Sequence, residues 1–432
     1  MRLYLLFGLA IAALVLGPSS SAPVAESNAA ARLTRAKMAG DMDNQRRHLW
    51  AVLARIVASG RDNHHPAFLD WPGEREVFAA QPQRTTGFPD GFVRSRTANE
   101  SSDAGDPPLI RFIHYNPAAA RHIRQQGLYR ETTLRQLRAS GPPHPEIAGN
   151  RTIAPLPRDA VVVMTAWWPV AADGLTPLPV WDADGRHRAQ GSNSYLNWPR
   201  LVAVTPDTSR ADPSARQPVA FAGRVLASPT LVPLDRLVHV PVTPTLAHAA
   251  ADTPEAAKLS LLALGRPLQA GDFLALVGMH VMTAQISGGT WGTFWWHDSP
   301  ATGPFATARP SDLPAPWRNY LMDATFDAVL PREADGTPNV CFNPWLDGGL
   351  GANPHASGQD NDMQNNGMQA NCISCHNRAS YPLIEVLPVT RGHPDVERDR
   401  AYAADQLRTG MLWSIANSSY KQFQGQDLLL SR

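Results

Sequence analysis

The sequence has little charge and no block of it. Charged residues make up 18% of the chain, against roughly 25% in an average soluble protein. The 39 basic and 38 acidic side chains leave a net charge of +1, and no long run of either sign occurs. Phosphate binding needs a concentrated basic surface, so nucleic acid is excluded as the main partner. Familiar active-site signatures are missing too: there is no Walker loop, no G-x-S-x-G elbow and no H-E-x-x-H helix. The Asp360-Asn361-Asp362 stretch lacks the spacing and terminal glutamate of an EF-hand and reads as a solvated loop. No internal repeat is present, and beyond the N-terminus no apolar run reaches the roughly 20 residues a membrane helix needs.

Proline, by contrast, is abundant at 39 residues. It fixes φ and removes a backbone donor, which keeps it out of helix interiors and central strands. Short elements joined by long loops are the consequence. A chain of 432 residues is long enough for two or three domains. The N-terminus has the three-part layout of a secretory signal: Arg2, an apolar run from Leu3 to Leu16, then Gly17, Pro18 and serines before Ala22. The run is about 14 residues, short of the roughly 20 that span a bilayer. Residues 1–22 are therefore read as a signal peptide, with a retained anchor as the alternative. The mature protein is expected to be periplasmic or secreted, with no transmembrane segment after cleavage.

Periodicity and punctuation divide the rest into three. Residues 23–150 read as helical and irregular, with a helix over 42–59 that ends at Gly60 and two short helices near 117–127 and 131–140. The first of these two is capped by Asn116-Pro117. Residues 151–330 form a β-rich body. Ala160 to Trp168 is β-branched and aromatic, and Phe273–Ala284 and Thr290–His297 flank a Gly288-Gly289 turn as a hairpin. A helix capped at Thr253-Pro254-Glu255 ends near Gly265. Residues 331–432 are loose and then helical, with a last helix expected over about 395–417. The fold class is α+β: a β-rich central body, flanking short helices and a C-terminal helical segment.

The chemistry is concentrated at Asn371-Cys372-Ile373-Ser374-Cys375-His376. Residues three apart share a face of a helical turn. Two thiols so spaced reach the two vinyl groups on one edge of a porphyrin, and the following imidazole then points at the iron. A C-x-x-C-H arises by chance in about one in a thousand chains of this length and cysteine and histidine content. Export agrees with it, because covalent haem attachment takes place on the exported side of the bacterial membrane. The competing readings are a redox-active Cys372–Cys375 pair and a Cys₃His zinc site that adds Cys341. If haem takes the motif, Cys341 is left over as a buried thiol.

The motif resembles that of the c-type cytochromes, although it lies near the C-terminus and not at the start of a small carrier domain. The wider pattern resembles a group of exported bacterial proteins known only as cytochrome c family. Val277-Gly278-Met279-His280, Thr290 to Asp298, Phe342-Asn343-Pro344-Trp345-Leu346 and Asn371 to Ala379 carry the likeness, which spans about 150–400. The resemblance implies one covalent haem c held by Cys372, Cys375 and His376, and an exported location. It supplies no reaction.

His376 fills one axial position of such an iron, and the second separates carrier from enzyme. His280, in an apolar run, is the first candidate. His297, at the end of the next run, and Met411, 35 residues beyond His376, are the alternatives. Met363 and Met368 sit too close before the motif to reach the opposite face. Trp291, Trp295, Trp296 and Trp345 are candidates to wall the pocket. The reading is a periplasmic electron-transfer cytochrome with a redox partner protein. Its rivals are a peroxidase- or oxygenase-like oxidoreductase with an open iron site and a haem-based sensor.

Overall fold

The longest apolar runs of the middle region become neighbours in one antiparallel sheet. The structure is a computed structural model. It describes residues 33–34, 37, 39–58, 60, 64–81, 109–182, 195–207, 218–301, 303–332, 336, 338–339, 341, 343–347, 371–383 and 399–418. The expected signal peptide, Met363, Met368 and the Asp360–Asp362 loop lie outside these residues.

Helix α1 (Met42–Ala58) is followed by a short turn, α2 (Glu74–Phe78), and strand β1 (Ile110–Tyr115). Helices α3 (Pro117–Gln125) and α4 (Glu131–Ser140) lead to β2 (Arg151–Thr152), β3 (Val161–Val170), β4 (Thr176–Val180) and β5 (Arg200–Thr205). Four short strands come next: β6 (Val219–Phe221), β7 (Arg224–Leu226), β8 (Thr230–Pro233) and β9 (His239–Pro241). Helices α5 (Pro244–Ala251) and α6 (Pro254–Leu264) precede the long strands β10 (Phe273–Thr283), β11 (Thr290–Trp296) and β12 (Tyr320–Thr325). The C-terminal part holds α7 (Cys372–His376), β13 (Ser380–Tyr381), β14 (Leu407–Arg408) and α8 (Trp413–Ala416).

The central sheet runs β1-β3-β10-β11-β12, with β9 paired to β10 beyond the end of β11. Strands β10 and β11 are covered on both faces, which is why they read as continuous apolar runs and not as alternating ones. Gly288 and Gly289 both take positive φ in the hairpin turn, a conformation that a side chain opposes.

Cross-strand partners point to the same side, so the register sorts the residues of the sheet into two faces. Helix α1 covers one face. Its buried stripe of Leu49, Trp50, Leu53, Ile56 and Val57 meets β11, where Trp50 lies edge-on to Phe294 at 5.2 Å. Each such large side chain contributes roughly 1.5–3 kcal/mol by leaving water. The other face carries Tyr115, Met164, His280, Met282, Trp291 and Thr293, brought alongside one another by the strand register. Residues 343–347 lie across it. Asn343 Nδ2 donates to Thr293 Oγ1 and to the Phe294 carbonyl, both at 2.8 Å. Gly278 allows this approach: a Cβ there would stand 2.9 Å from Asn343 Oδ1 and 3.1 Å from Trp345 Cβ.

The α+β class holds, and so do the helices at 42, 117 and 131 and the β10–β11 hairpin. Four features differ. Strand β1, not foreseen, joins the central sheet from the region expected to be helical and irregular. The boundary at 331 is also crossed, since β14 pairs in parallel with β2. The helix expected over about 395–417 is, within the described residues 399–418, a 3₁₀ turn, strand β14 and one turn of α8. Asp405, Gly410 and Met411 there take positive φ, which no right-handed helix accommodates. Finally, Thr253 precedes α6 without capping it, because its hydroxyl donates back to the Ala249 carbonyl at 2.9 Å. Among the described residues no helix is long and apolar enough to cross a membrane.

Candidate functional site

The C-x-x-C-H residues occupy α7, a single turn that begins where Asn371 can cap it. Asn371 Oδ1 accepts from the Ser374 backbone N–H at 2.9 Å and from the Ser374 hydroxyl at 3.2 Å. Asn371 Nδ2 donates to the Asp327 carbonyl at 3.0 Å, which ties the turn to the segment after β12. The turn thus sets Cys372 and Cys375 three residues apart on one helical face. Behind it, buried Arg378 donates to the Ser374 carbonyl at 2.8 Å and pairs with buried Asp399. The Thr409 amide donates to the Ala379 carbonyl at 3.1 Å. The turn packs in a second apolar cluster with Tyr115, Ile123, Leu134, Met282, Trp291, Cys341, Leu412 and Ile415, separate from the main core.

His376 is oriented on two sides. Its Nδ1 lies 2.7 Å from the Met411 carbonyl, which can only accept, so Nδ1 carries the proton and Nε2 holds the lone pair. Its ring lies 4.0 Å from that of Trp291, tilted by 39°. Burial pushes the imidazole pKa down to about 4, against the opposing pull of the Met411 carbonyl. Burial also pushes the Cys375 thiol up to about 12, with the Asp347 carboxylate adding to the effect. A neutral imidazole is the form in which a histidine can ligate a metal.

His280 comes from the sheet beneath. Its Nε2 hydrogen-bonds Asp347 Oδ1 at 3.2 Å, and Asp347 Oδ2 accepts the Asn343 backbone N–H at 2.7 Å. Burial opposes a charge on His280, but the Asp347 carboxylate outweighs it and raises the pKa. His280 in turn helps to hold Asp347 below the usual carboxylate range, against its own burial. The other ring nitrogen, Nδ1, is buried with no hydrogen-bond partner among the described residues. The charges of His280 and Asp347 are both felt at His376. Asp347, which orients His280, was missed in the sequence because nothing in Asn343-Pro344-Trp345-Leu346-Asp347 marks a loop carboxylate as facing a strand.

Of the other expected ligands, His297 lies elsewhere and Met411 meets the site only through its backbone. His297 follows β11 at the end opposite Trp291, and six residues of strand place it about 20 Å along the strand from Trp291. Both of its nitrogens are used: Nδ1 accepts from the Ser299 amide at 2.9 Å, and Nε2 meets Asp182 Oδ1 at 3.1 Å. Met411 is at the site through its backbone carbonyl, which orients His376 from behind. Of the four tryptophans only Trp291 touches His376. Trp295 packs on Trp181 and Phe305, Trp296 donates to the Arg236 carbonyl, and Trp345 packs among Trp168, Tyr195 and Trp198. Cys341 is buried as expected, but its position is new: its Sγ lies 3.9 Å from Cys372 Sγ. Among the described residues no group of three or more His, Cys, Asp or Glu side chains is arranged to hold a metal ion.

No protein-family model, curated protein or solved structure matches this chain. The resemblance to c-type cytochromes therefore rests on the sequence motif alone.

Proposed function

We propose that this chain is an exported c-type cytochrome that binds one haem covalently and passes electrons to a redox partner protein. Cys372 and Cys375 would hold the haem through thioether bonds, and His376 Nε2 would ligate its iron. The observation that carries this reading is the hydrogen bond from His376 Nδ1 to the Met411 carbonyl. It fixes the tautomer that aims a lone pair outward and makes the ring more basic, the usual outer support of a ligating histidine. When bound, the haem supplies a one-electron couple.

The surrounding residues fit that group. His280 would be a further iron ligand, because its Nδ1 is buried with no partner among the described residues and Asp347 holds the opposite nitrogen. A carboxylate behind a ligating imidazole fixes its orientation. Trp291 packs on His376 and the second apolar cluster buries Cys372 and Ile373, while Cys375 and His376 stay half-buried. The Arg378–Asp399 pair and the Asn371 cap hold the two thiols and the imidazole in place.

The test is expression of the exported chain together with haem-attachment machinery. Mass spectrometry after denaturation should find one haem bound, and this should be lost in Cys372→Ala and Cys375→Ala. Oxidised and reduced spectra should be low-spin and unchanged by carbon monoxide. A spectrum shifted by carbon monoxide would move the reading to an oxidoreductase or sensor with an open iron site. Absence of covalent haem would overturn it.

A further inference from the structure

The third cysteine is not isolated. Cys341 is buried, and it forms a parallel bridge with Asn371, the residue just before the motif. That contact sets Cys341 Sγ 3.9 Å from Cys372 Sγ, and the Cys372 thiol also lies 3.6 Å from the Cys341 carbonyl. To form a disulfide the two sulfurs have to close from 3.9 Å to roughly 2.05 Å. Cys375, in the same helical turn as Cys372, is the competing partner, since a C-x-x-C pair at the start of a helix also forms redox disulfides.

We propose that Cys341 and Cys372 form a disulfide in the haem-free chain, a covalent modification that occupies one of the two thiols needed for haem attachment. Each thiol gives up its hydrogen. The two electrons and two protons pass to a disulfide oxidant such as oxidised glutathione, which leaves as two thiols, while a dithiol reductant reverses the exchange. An exported chain meets such oxidants before it is loaded. Cys375 stays reduced in this form, so the oxidised chain has one free thiol where haem attachment needs two. The consequence for haem loading rests on the proposed function, whereas the disulfide itself does not.

The test uses the full chain made without haem and equilibrated with oxidised glutathione. Free thiols are blocked under denaturing conditions, and the unreduced peptides are mapped by mass spectrometry. The expected product is a peptide containing Cys341 linked to one containing Cys372, lighter by two hydrogens, with Cys375 blocked. Cys375→Ser should keep this cross-link, and Cys341→Ser should abolish it while the far-ultraviolet circular dichroism stays unchanged. A predominant Cys372–Cys375 link, or three blocked thiols, would overturn the proposal. In a loading assay, the oxidised wild-type chain should take up haem only after treatment with a dithiol, whereas loading of Cys341→Ser should be less sensitive to prior oxidation. If no form takes up haem while the Cys341–Cys372 link is found, the cytochrome reading fails and the disulfide stands.

Discussion

The β10–β11 hairpin carries two buried histidines, each against a carboxylate, and they are wired differently. His297 sits in a closed network: Asp182 and the Ser299 amide take its two nitrogens, and Arg200 bridges Asp182 to Asp298 at 2.6 Å on each side. Nothing in that network calls for another ligand. His280 has Asp347 on one nitrogen and no partner among the described residues on the other. An unmade hydrogen bond in a buried place costs roughly 1–3 kcal/mol, and His280 is one of several buried side chains that carry such an atom. Identical side chains in the same hairpin thus differ in their wiring: both ring nitrogens of His297 are used, and only one of those of His280 has a partner among the described residues.

The comparison can be broken from either side. His297→Leu should cost about 3 kcal/mol in urea unfolding, because two buried hydrogen bonds go and Asp182 loses a partner. The absorption spectrum of the haem-loaded protein should not change. An altered spectrum would make His297 part of the site.

Gly278→Ala should cost about 2 kcal/mol, since the added methyl drives Asn343 and Trp345 off the sheet. Asp347 moves with them, so this variant should also alter the spectrum. His280→Leu should cost only about 1 kcal/mol in the haem-free chain, because the loss of the Asp347 contact is partly offset by removal of an unpaired buried nitrogen. Its spectral effect should nonetheless be the larger, with high-spin character and a response to carbon monoxide. An unchanged low-spin spectrum would exclude His280 as a ligand.

Acid gives the gentlest test. Burial works against ionisation of Asp182 and Asp298, but hydrogen bonds from His297 and Arg200 outweigh it for Asp182, and those from Arg200 for Asp298, and both pKa values fall below 3.8. A depressed carboxylate contributes stability that is present above its unfolded value and is lost as pH falls through the folded one. Unfolding followed from pH 5 downward should therefore steepen below about pH 4. Arg200→Met should make that loss shallower, and an unchanged slope would remove the network from the acid limb.

Local pattern made much of this legible. The stripe of Leu49, Val52, Leu53, Ile56 and Val57 marks α1, the Gly288-Gly289 turn marks the hairpin, and the spacing of Cys372, Cys375 and His376 marks the site. The last helix was misread because Leu407, Met411, Leu412 and Ile415 mimic a helical stripe. Their burial instead comes from β14 and from turns with positive φ at Gly410 and Met411. The sequence offers Met411 as a sulfur ligand, whereas it is the backbone carbonyl of Met411 that meets His376. A carbonyl belongs to every residue, so no residue type could have announced it.

The sequence by itself determined which residues could do chemistry, because thiol spacing in one turn and the period of an apolar stripe are properties of neighbouring residues. Only the tertiary structure decided which distant groups meet them. Asp347 on His280, Met411 behind His376 and Cys341 beside Cys372 are contacts across 67, 35 and 31 residues. Such contacts depend on how sheet register and loop paths close, and no local pattern of side chains carries that information.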